Sequence, residues 1–276
     1  KEIKKALTVY QARSASALVI DIETAEVLAM VNGPSYNPNN RKNTGAHRIR
    51  NRVVTDAFEP GSSVKPLAVL SALEFGSVNK DSVIDTHPGW MRLGGSRISD
   101  PRNLGELDLQ TIIQQSSNMG TSKLALSVPK EFLLDTYYNI GLMSDTGMSL
   151  LGESSGLFHE RSRWSDFELA TLSFGYGISV TTAQLARMYT TLGNSGLHRE
   201  LSIIKNQEIK PAEQIFSPEN TQAVLEMMES VTQKDGSGRK AAVKGYRIAG
   251  KTGTSRKAIA GGYGDDYVNI FAGIAP

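Results

Sequence analysis

The chain has 276 residues, enough for one large or two small cores, and its 39% apolar and 21% charged residues are those of a folded globular protein rather than a disordered one. Its 30 basic and 28 acidic residues leave a net charge of +2, which gives no footprint for nucleic acid; the basic stretch Arg41–Arg52 reads as a solvated loop. There is no cysteine, which excludes disulfides, thiolate nucleophiles and Cys-based zinc sites. Apolar runs such as "ALVI", Ala17–Ile20, are too short to cross a bilayer. No secretory signal opens the chain, so any anchor is expected outside this stretch.

In chain order, "SALVIDIETAEVLAMV", Ser16–Val31, reads as a hairpin around a polar turn. A Pro- and Asn-rich loop follows, from Asn32 to Arg52. "SSVKPLAVLSALEFG", from Ser62 to Gly76, reads as a buried helix, with Pro66 tolerated in its first turn and Gly76 as its stop. Short helices are expected over Asp108–Gln115 and Met119–Ser127, broken by "SSN". Further helices follow over Lys130–Gly141, Ser165–Leu172 and Thr182–Gly193. Ser217–Gln233 is a strong helical pattern with Pro218 just inside its start. Lys244–Ser255 and Tyr267–Pro276 read as closing strands. Strands first and last with helices between predict an α+β domain, with a mainly antiparallel sheet built from both chain ends around a helical insert. No internal repeat or linker separates two domains.

The segment "GYRIAGKTGTS", Gly245–Ser255, fits two incompatible patterns. As G-x-x-x-x-G-K-[ST] it is a phosphate-binding loop. That motif needs a strand, then a flexible loop, then a helix. Here its interior, Tyr246–Ala249, looks like strand, and a glycine-studded stretch follows in place of a helix. As K-T-G it is the third element of a serine acyl-transfer site that begins with S-x-x-K. S-x-x-K recurs at Ser62, Ser77, Ser127, Ser202 and Ser237, but only Ser62 follows a Pro-Gly turn and opens a buried helix. A hydroxyl there meets the positive end of the helix dipole. Lys65 lies one turn on, the only cation in that apolar helix.

Taken alone, Lys65 reads as a lysine whose ammonium reaches water. The pair Ser116 and Asn118 reads alone as ordinary helix capping, and Lys251 as an exposed strand end. Together, in order, the three motifs are far more specific. On a strand, Gly253 would admit a substrate backbone, and Lys251, Thr252 and Thr254 would bind a carboxylate. A rival G-x-S-x-G elbow at Ser154, in "GESSG", lacks the strand it needs, and no histidine is placed to serve it. Glu153, Glu160 and Glu168 follow S-x-N, but none sits in an E-x-x-L-N pattern, so slow deacylation by water is expected.

On "FEPGSSVKP", "SSN" and "AGKTGTS" the chain resembles the penicillin-binding proteins and serine β-lactamases. "ALVIDIETAEVLAM", "SYNPN", "NRVVTDAFEPGSSVKP", "RWSDFELATLSFGYGISVT" and "MMESV" make it similar to class B penicillin-binding proteins, the cell-division (septal) transpeptidases of the penicillin-binding protein 3 type. The resemblance covers nearly the whole chain. Ala25 stands where that family usually has Gly, and Thr182 where it usually has Pro.

The resemblance implies one transpeptidase domain over 1–276, with a sheet part over about 1–60 and 195–276 and an all-helical part over about 61–194. A membrane anchor and pedestal before it, and a last strand and helix after it, would lie outside this stretch. It also implies a D,D-transpeptidase in the periplasm, held by one N-terminal anchor in the bacterial inner membrane, with no cofactor or metal. Its partners would be peptidoglycan stem peptides ending in D-Ala-D-Ala, β-lactam antibiotics and other cell-division proteins. In that mechanism Ser62 is the nucleophile and Lys65 its base, kept neutral by burial and by Lys251. Ser116 relays a proton, and Asn118 holds Lys65 and the donor amide. The N–H groups of Ser62 and Thr254 form the oxyanion hole, and Lys251, Thr252 and Thr254 bind the terminal carboxylate. Tyr176 and Tyr267 are candidate walls of the cleft, although a core or strand-face position accounts for each as well. A β-lactam-sensing receptor domain and a D,D-carboxypeptidase are the alternatives.

Overall fold

The computed structural model describes residues 1–276 apart from 41, 43, 159–162, 206–208 and 260–261, so Arg41 and Glu160 lie outside the described residues. The first element, α1 (Glu2–Val9), has no side-chain cap and lies against the hairpin that follows. It is eight residues long and uncapped, without the start signal by which a helix is recognised in a sequence. The hairpin pairs β1 (Ala15–Ile20) with β2 (Val27–Gly33), from Ala15 opposite Gly33 to Ile20 opposite Val27. In its turn the Asp21 carboxylate accepts from the Thr24 N–H and hydroxyl, both at 2.9 Å. Ala25 closes the turn at φ 61°, fully buried. A left-handed backbone explains why glycine suits this position better.

The polar loop contains two single-turn helices, α2 (Ala46–Ile49) and α3 (Arg52–Thr55), the second burying Val53 and Val54 beneath the hairpin. A 3-10 turn, Gly61–Val64, then leads into α4 (Lys65–Phe75), which stops at Gly76 in the left-handed conformation. Ser62 therefore sits on the tight turn before the α-helix, and Lys65 begins it. Residues Lys65 to Leu73 of α4 are all buried. The helix packs on α6 (Asn118–Leu126), α7 (Lys130–Asn139) and α10 (Pro218–Glu229), within a core that includes Leu67, Leu70, Ile112, Tyr137 and Met228.

The part between the terminal hairpins is not all helix. β3 (Val83–Asp85) pairs with β6 (Glu106–Asp108), and β4 (Trp90–Leu93) with β5 (Ser96–Ser99), both antiparallel. Strands of three or four residues fall below what alternation can reveal in a sequence. α5 (Leu109–Gln114) follows with Asp108 as its cap. Further on, β7 (Leu157–Phe158) pairs with β8 (Ile178–Ser179) across α8 (Asp166–Leu172). α9 (Thr182–Gly193) begins with Thr182 at its first position, where proline is favoured but not required. β9 (Leu197–His198) pairs with β10 (Glu213–Gln214).

The chain closes on β11 (Ala249–Ile259) and β12 (Gly262–Ile274), antiparallel from Ala249 opposite Ile274 to Ile259 opposite Gly262. The expected strand from Lys244 starts only at Ala249, because Lys244–Ile248 is turn and irregular backbone. The two terminal hairpins both rest on α9, yet among the described residues no strand bonding joins them. Instead a groove of about 1930 Å³ separates β1 from β12, lined by Leu18 and Ile20 on one side, Ile270 and Ala272 on the other and Leu185 and Tyr189 of α9. The antiparallel sheet of the expectation is thus two hairpins on one helix.

Candidate active site

The turn that carries Ser62 is clamped from three sides. Tyr189 of α9 donates its hydroxyl to the Ser63 carbonyl at 2.8 Å. Ser255 of β11 donates to the Glu59 carbonyl at 2.7 Å. The Gly61 N–H donates to the Gly175 carbonyl at 3.2 Å, and a Cβ on Gly175 would stand 2.1 Å from the Gly61 oxygen, so only glycine allows this approach. Ser63 adds a local bond, from its hydroxyl to the Pro60 carbonyl at 2.7 Å. Ser62 itself remains half-buried while Gly61, Ser63 and Val64 are buried. Only one side chain of the turn faces the cleft.

Lys65, fully buried, projects from the start of α4 to the break between α5 and α6. Its ammonium donates to the Ser116 carbonyl, to Ser116 Oγ at 3.2 Å and to Asn118 Oδ1 at 2.8 Å. The break has the geometry its sequence suggested and one feature it did not. Ser117 caps α6 by accepting from the Gly120 N–H at 2.8 Å, while Ser116 takes φ 58°, a left-handed conformation uncommon for a non-glycine residue. That kink turns the Ser116 carbonyl and hydroxyl together onto Lys65.

From the other wall, Lys251 of β11 donates to Ser116 Oγ at 2.9 Å and to the Thr252 carbonyl at 3.1 Å. Side chains alternate along this strand. Lys251, Gly253 and Ser255 are buried against the 59–63 turn, whereas Thr252 is half-buried and Thr254 exposed. A Cβ on Gly253 would lie 2.8 Å from the Pro60 carbonyl and 3.2 Å from Ser63, so Gly253 permits a close approach to the protein's own 60–63 turn. Thr252 shares a hydrogen bond with Ser237 at 3.0 Å, and Thr254 one with Asn269 at 3.2 Å.

Burial pushes both lysines away from their usual charged state. The Lys65 amine lies well below the ordinary lysine range, chiefly because it is desolvated and next because Lys251 faces it, with Asp100 opposing. Lys251 is lowered to about 7 by burial. A lysine that can lose its proton near neutrality is competent as a base, and one hydroxyl held between two amines is competent to pass a proton.

Tyr176 meets Tyr263 edge-on at 5.9 Å and Phe174 at 5.8 Å. Tyr263 also donates to Glu59 at 3.2 Å, beside the Ser62 turn, and was not singled out from the sequence. Tyr267 stands on β12 opposite Arg256 and lines the groove between the hairpins, a strand-face position. The rival motifs fail on geometry. Gly250 to Ser255 is continuous strand with no helix after it, and Lys251 points into the serine site, so no phosphate loop forms. Ser154 follows irregular backbone, without the strand of an elbow. Glu153 accepts from Thr146, and Glu168 completes the cap of α8 with Ser165. Among the described residues no cluster of metal-ligating side chains is present.

Lys65, Ser116, Asn118 and Lys251 thus form one hydrogen-bonded cluster between α4, the α5–α6 break and β11, at the start of the helix that the Ser62 turn leads into. The family model of the penicillin binding protein transpeptidase domain matches residues 15–276, and the chain belongs to that family. Over 277 residues and all of its length it is 48% identical to the peptidoglycan D,D-transpeptidase FtsI of Escherichia coli (strain K12), of which it covers 47%. It is 37% identical to the probable peptidoglycan D,D-transpeptidase PenA of Neisseria gonorrhoeae, again covering 47%. The chain thus spans about half the length of the curated relatives it matches. Its fold matches the apo transpeptidase domain of penicillin-binding protein 3 from Burkholderia pseudomallei with a TM-score of 0.90 at 36% identity, over 99% of this chain and 79% of that one.

Proposed function

We propose that the chain is the catalytic domain of a septal peptidoglycan D,D-transpeptidase that works through a Ser62 acyl-enzyme and is inhibited by β-lactams. The observation that carries this reading is the Ser116 hydroxyl held between Lys65 and Lys251, beside the exposed face of the Ser62 turn. Ser62 Oγ attacks the carbonyl carbon of the penultimate D-Ala of a stem peptide as its proton passes to the neutral Lys65 amine. The tetrahedral oxyanion is held by the N–H groups of Ser62 and Thr254. When the intermediate collapses, the peptide C–N bond breaks and Ser116 delivers a proton to the departing D-Ala nitrogen, taking in its place the proton held by Lys65. An acceptor amine then attacks the ester, the proton it sheds passes through Lys65 to Ser62 Oγ as the ester C–O bond breaks, and a crosslink has replaced the lost peptide bond.

Lys251 and the hydroxyls of Thr252 and Thr254 bind the terminal carboxylate of the donor, and Asn118 holds its amide. Tyr176 walls the cleft, and Tyr267, on the same face of the last hairpin as Asn269 and Thr254, is its second candidate wall. Neither a cofactor nor a metal enters these steps. The test is a mixture of a D-Ala-D-Ala donor and an amine acceptor, with the products separated by mass. Crosslinked product supports the transpeptidase. Hydrolysed donor alone indicates a carboxypeptidase, and a stable acyl-enzyme without turnover indicates a sensor.

The same reading divides the domain into a sheet part, about 1–60 and 195–276, and a helical part, about 61–194, with Ser62 at their seam. It assigns the groove between β1 and β12 to a further strand of the domain, which would join the two hairpins into one sheet. The share of the relatives outside the match leaves room for a pedestal and an N-terminal anchor in the inner membrane. Among the described residues no helix is long and apolar enough to cross a membrane. The catalytic domain would then face the periplasm and work with other cell-division proteins.

A further inference from the structure

Asp100, the residue immediately after β5, is nearly buried, and nothing in the sequence marks it. Its carboxylate accepts from the Ser117 hydroxyl at 2.6 Å, from the Asn118 N–H at 2.5 Å and from the Met119 N–H at 3.2 Å. The two amides are the first orphan donors of α6, and Ser117 supplies the acceptor for the next, Gly120. A carboxylate thus sits on the positive end of that helix, where a negative charge is favoured. The neighbouring residue tightens the same junction, because Asn118 Nδ2 donates to the Ser99 carbonyl at 3.0 Å.

We propose that Asp100 is a positioning residue for acyl transfer: by holding Ser117, Asn118 and Met119 it fixes the strained Ser116 kink and aims Ser116 and Asn118 at Lys65. The geometry gives each bond a purpose. Ser116 at φ 58° is not a conformation that residue would keep unaided. The backbone on its far side is pinned by the carboxylate, and on its near side the Ser116 carbonyl receives Lys65. Loosening the pin lets Ser116 relax and lose its place between the two amines.

The charge acts as well as the shape. The charged groups facing Lys65 are Lys251 from β11 and Asp100 from the end of β5, with opposite effects on its proton. Asp100 is therefore the anion that opposes burial and Lys251 in setting the Lys65 proton. In Asp100→Asn, Oδ1 can still accept from the Asn118 and Met119 amides and Nδ2 can face Ser117 Oγ, so the shape is retained and the charge removed. Asp100→Ala removes both.

The inference rests on Ser62 being the acylated residue. The experiment measures the rate of acylation by a fluorescent penicillin against pH, for the wild type, Asp100→Asn and Asp100→Ala, with thermal unfolding recorded alongside. Asp100→Ala is expected to acylate about 10²-fold more slowly, the scale of an ångström misplacement in a catalytic array. Asp100→Asn is expected to recover most of that loss, with the acid limb of its profile moved to lower pH, because a neutral Lys65 is favoured once the anion is gone. Asp100→Ala within a few-fold of wild type, or Asp100→Asn with an unmoved acid limb, overturns the assignment; if Asp100→Ala does not fold, the acid limb of Asp100→Asn decides alone. Failure of the wild type to label on Ser62 overturns the underlying reading instead, and the two failures are distinguishable because one appears in the wild type and the other only in the variants.

Discussion

Lys251 Nζ reaches Ser116 Oγ at 2.9 Å across 135 positions of sequence, and this bond ties the last hairpin to the helical part of the domain. Lys65 meets the same oxygen at 3.2 Å from the opposite side. The hydroxyl is the hub of the site, and its removal separates the two amines. Ser116→Ala is expected to slow acylation by about 10²–10³-fold, within the range for a positioned proton-transfer group, while the fold survives because Ser117, not Ser116, caps α6. Stopped-flow acylation together with thermal unfolding checks both halves. A wild-type rate would remove Ser116 from the proton path.

The two buried lysines make stability depend on pH in a defined direction. Lys251 is near 7 in the folded chain against an ordinary 10.5, so between those values the unfolded chain carries the extra proton. Stability therefore rises with pH through that window and is lowest below it, where the folded chain must hold Lys251 charged and buried. Lys65, also lowered by burial, adds to the same trend. Lys251→Met should flatten the rise and leave the protein more stable than wild type near pH 7, in a series of denaturant titrations across pH. A rise of unchanged steepness in Lys251→Met would contradict the assignment.

Gly253→Ala tests the contact between β11 and the turn that carries Ser62. Its Cβ would lie 2.8 Å from the Pro60 carbonyl, a backbone atom that cannot swing aside. Overpacking of this kind costs about 1–3 kcal/mol. Both the unfolding temperature and the acylation rate are expected to fall, since the shift moves Ser62 relative to Lys251. Loss of neither would mean that the strand stands off the turn in solution.

Arg187 supports the site from a distance. It is buried on α9 two residues before Tyr189, and its guanidinium donates to the carbonyls of Asp145, Gly141 and Ser144 and to the Ser144 hydroxyl. Desolvation lowers it to about 10, so it stays charged at neutral pH. Arg187→Ala strands those acceptors and empties the space. A loss of at least about 3 kcal/mol in denaturant unfolding is expected, since several buried acceptors are left unmade at about 1–3 kcal/mol each. A loss under about 1 kcal/mol would show that the 141–145 loop satisfies itself.

What could be read from the sequence followed its local signals. The helices near Ser62, Asn118, Thr182 and Pro218 were legible because caps, prolines and apolar runs coincide there. Ser62 stood out from four other S-x-x-K matches because a Pro-Gly turn precedes it and an apolar helix follows. Asp100, Tyr189 and Tyr263 escaped notice for one shared reason: each acts through a partner remote in sequence, as Tyr189 does on Ser63 over 126 positions. The separation of the terminal hairpins was equally hidden, because alternation marks a strand without naming its neighbour. Gly253 was read as admitting a substrate backbone; that the 60–63 turn lies against it is a fact that only the folded chain contains.

The most direct test of the central claim is the intact mass of the protein after incubation with benzylpenicillin, followed by peptide mapping of the adduct. One covalent adduct on the peptide that contains Ser62, absent from Ser62→Ala, is the predicted result. An adduct on another serine, or one that persists in Ser62→Ala, contradicts it.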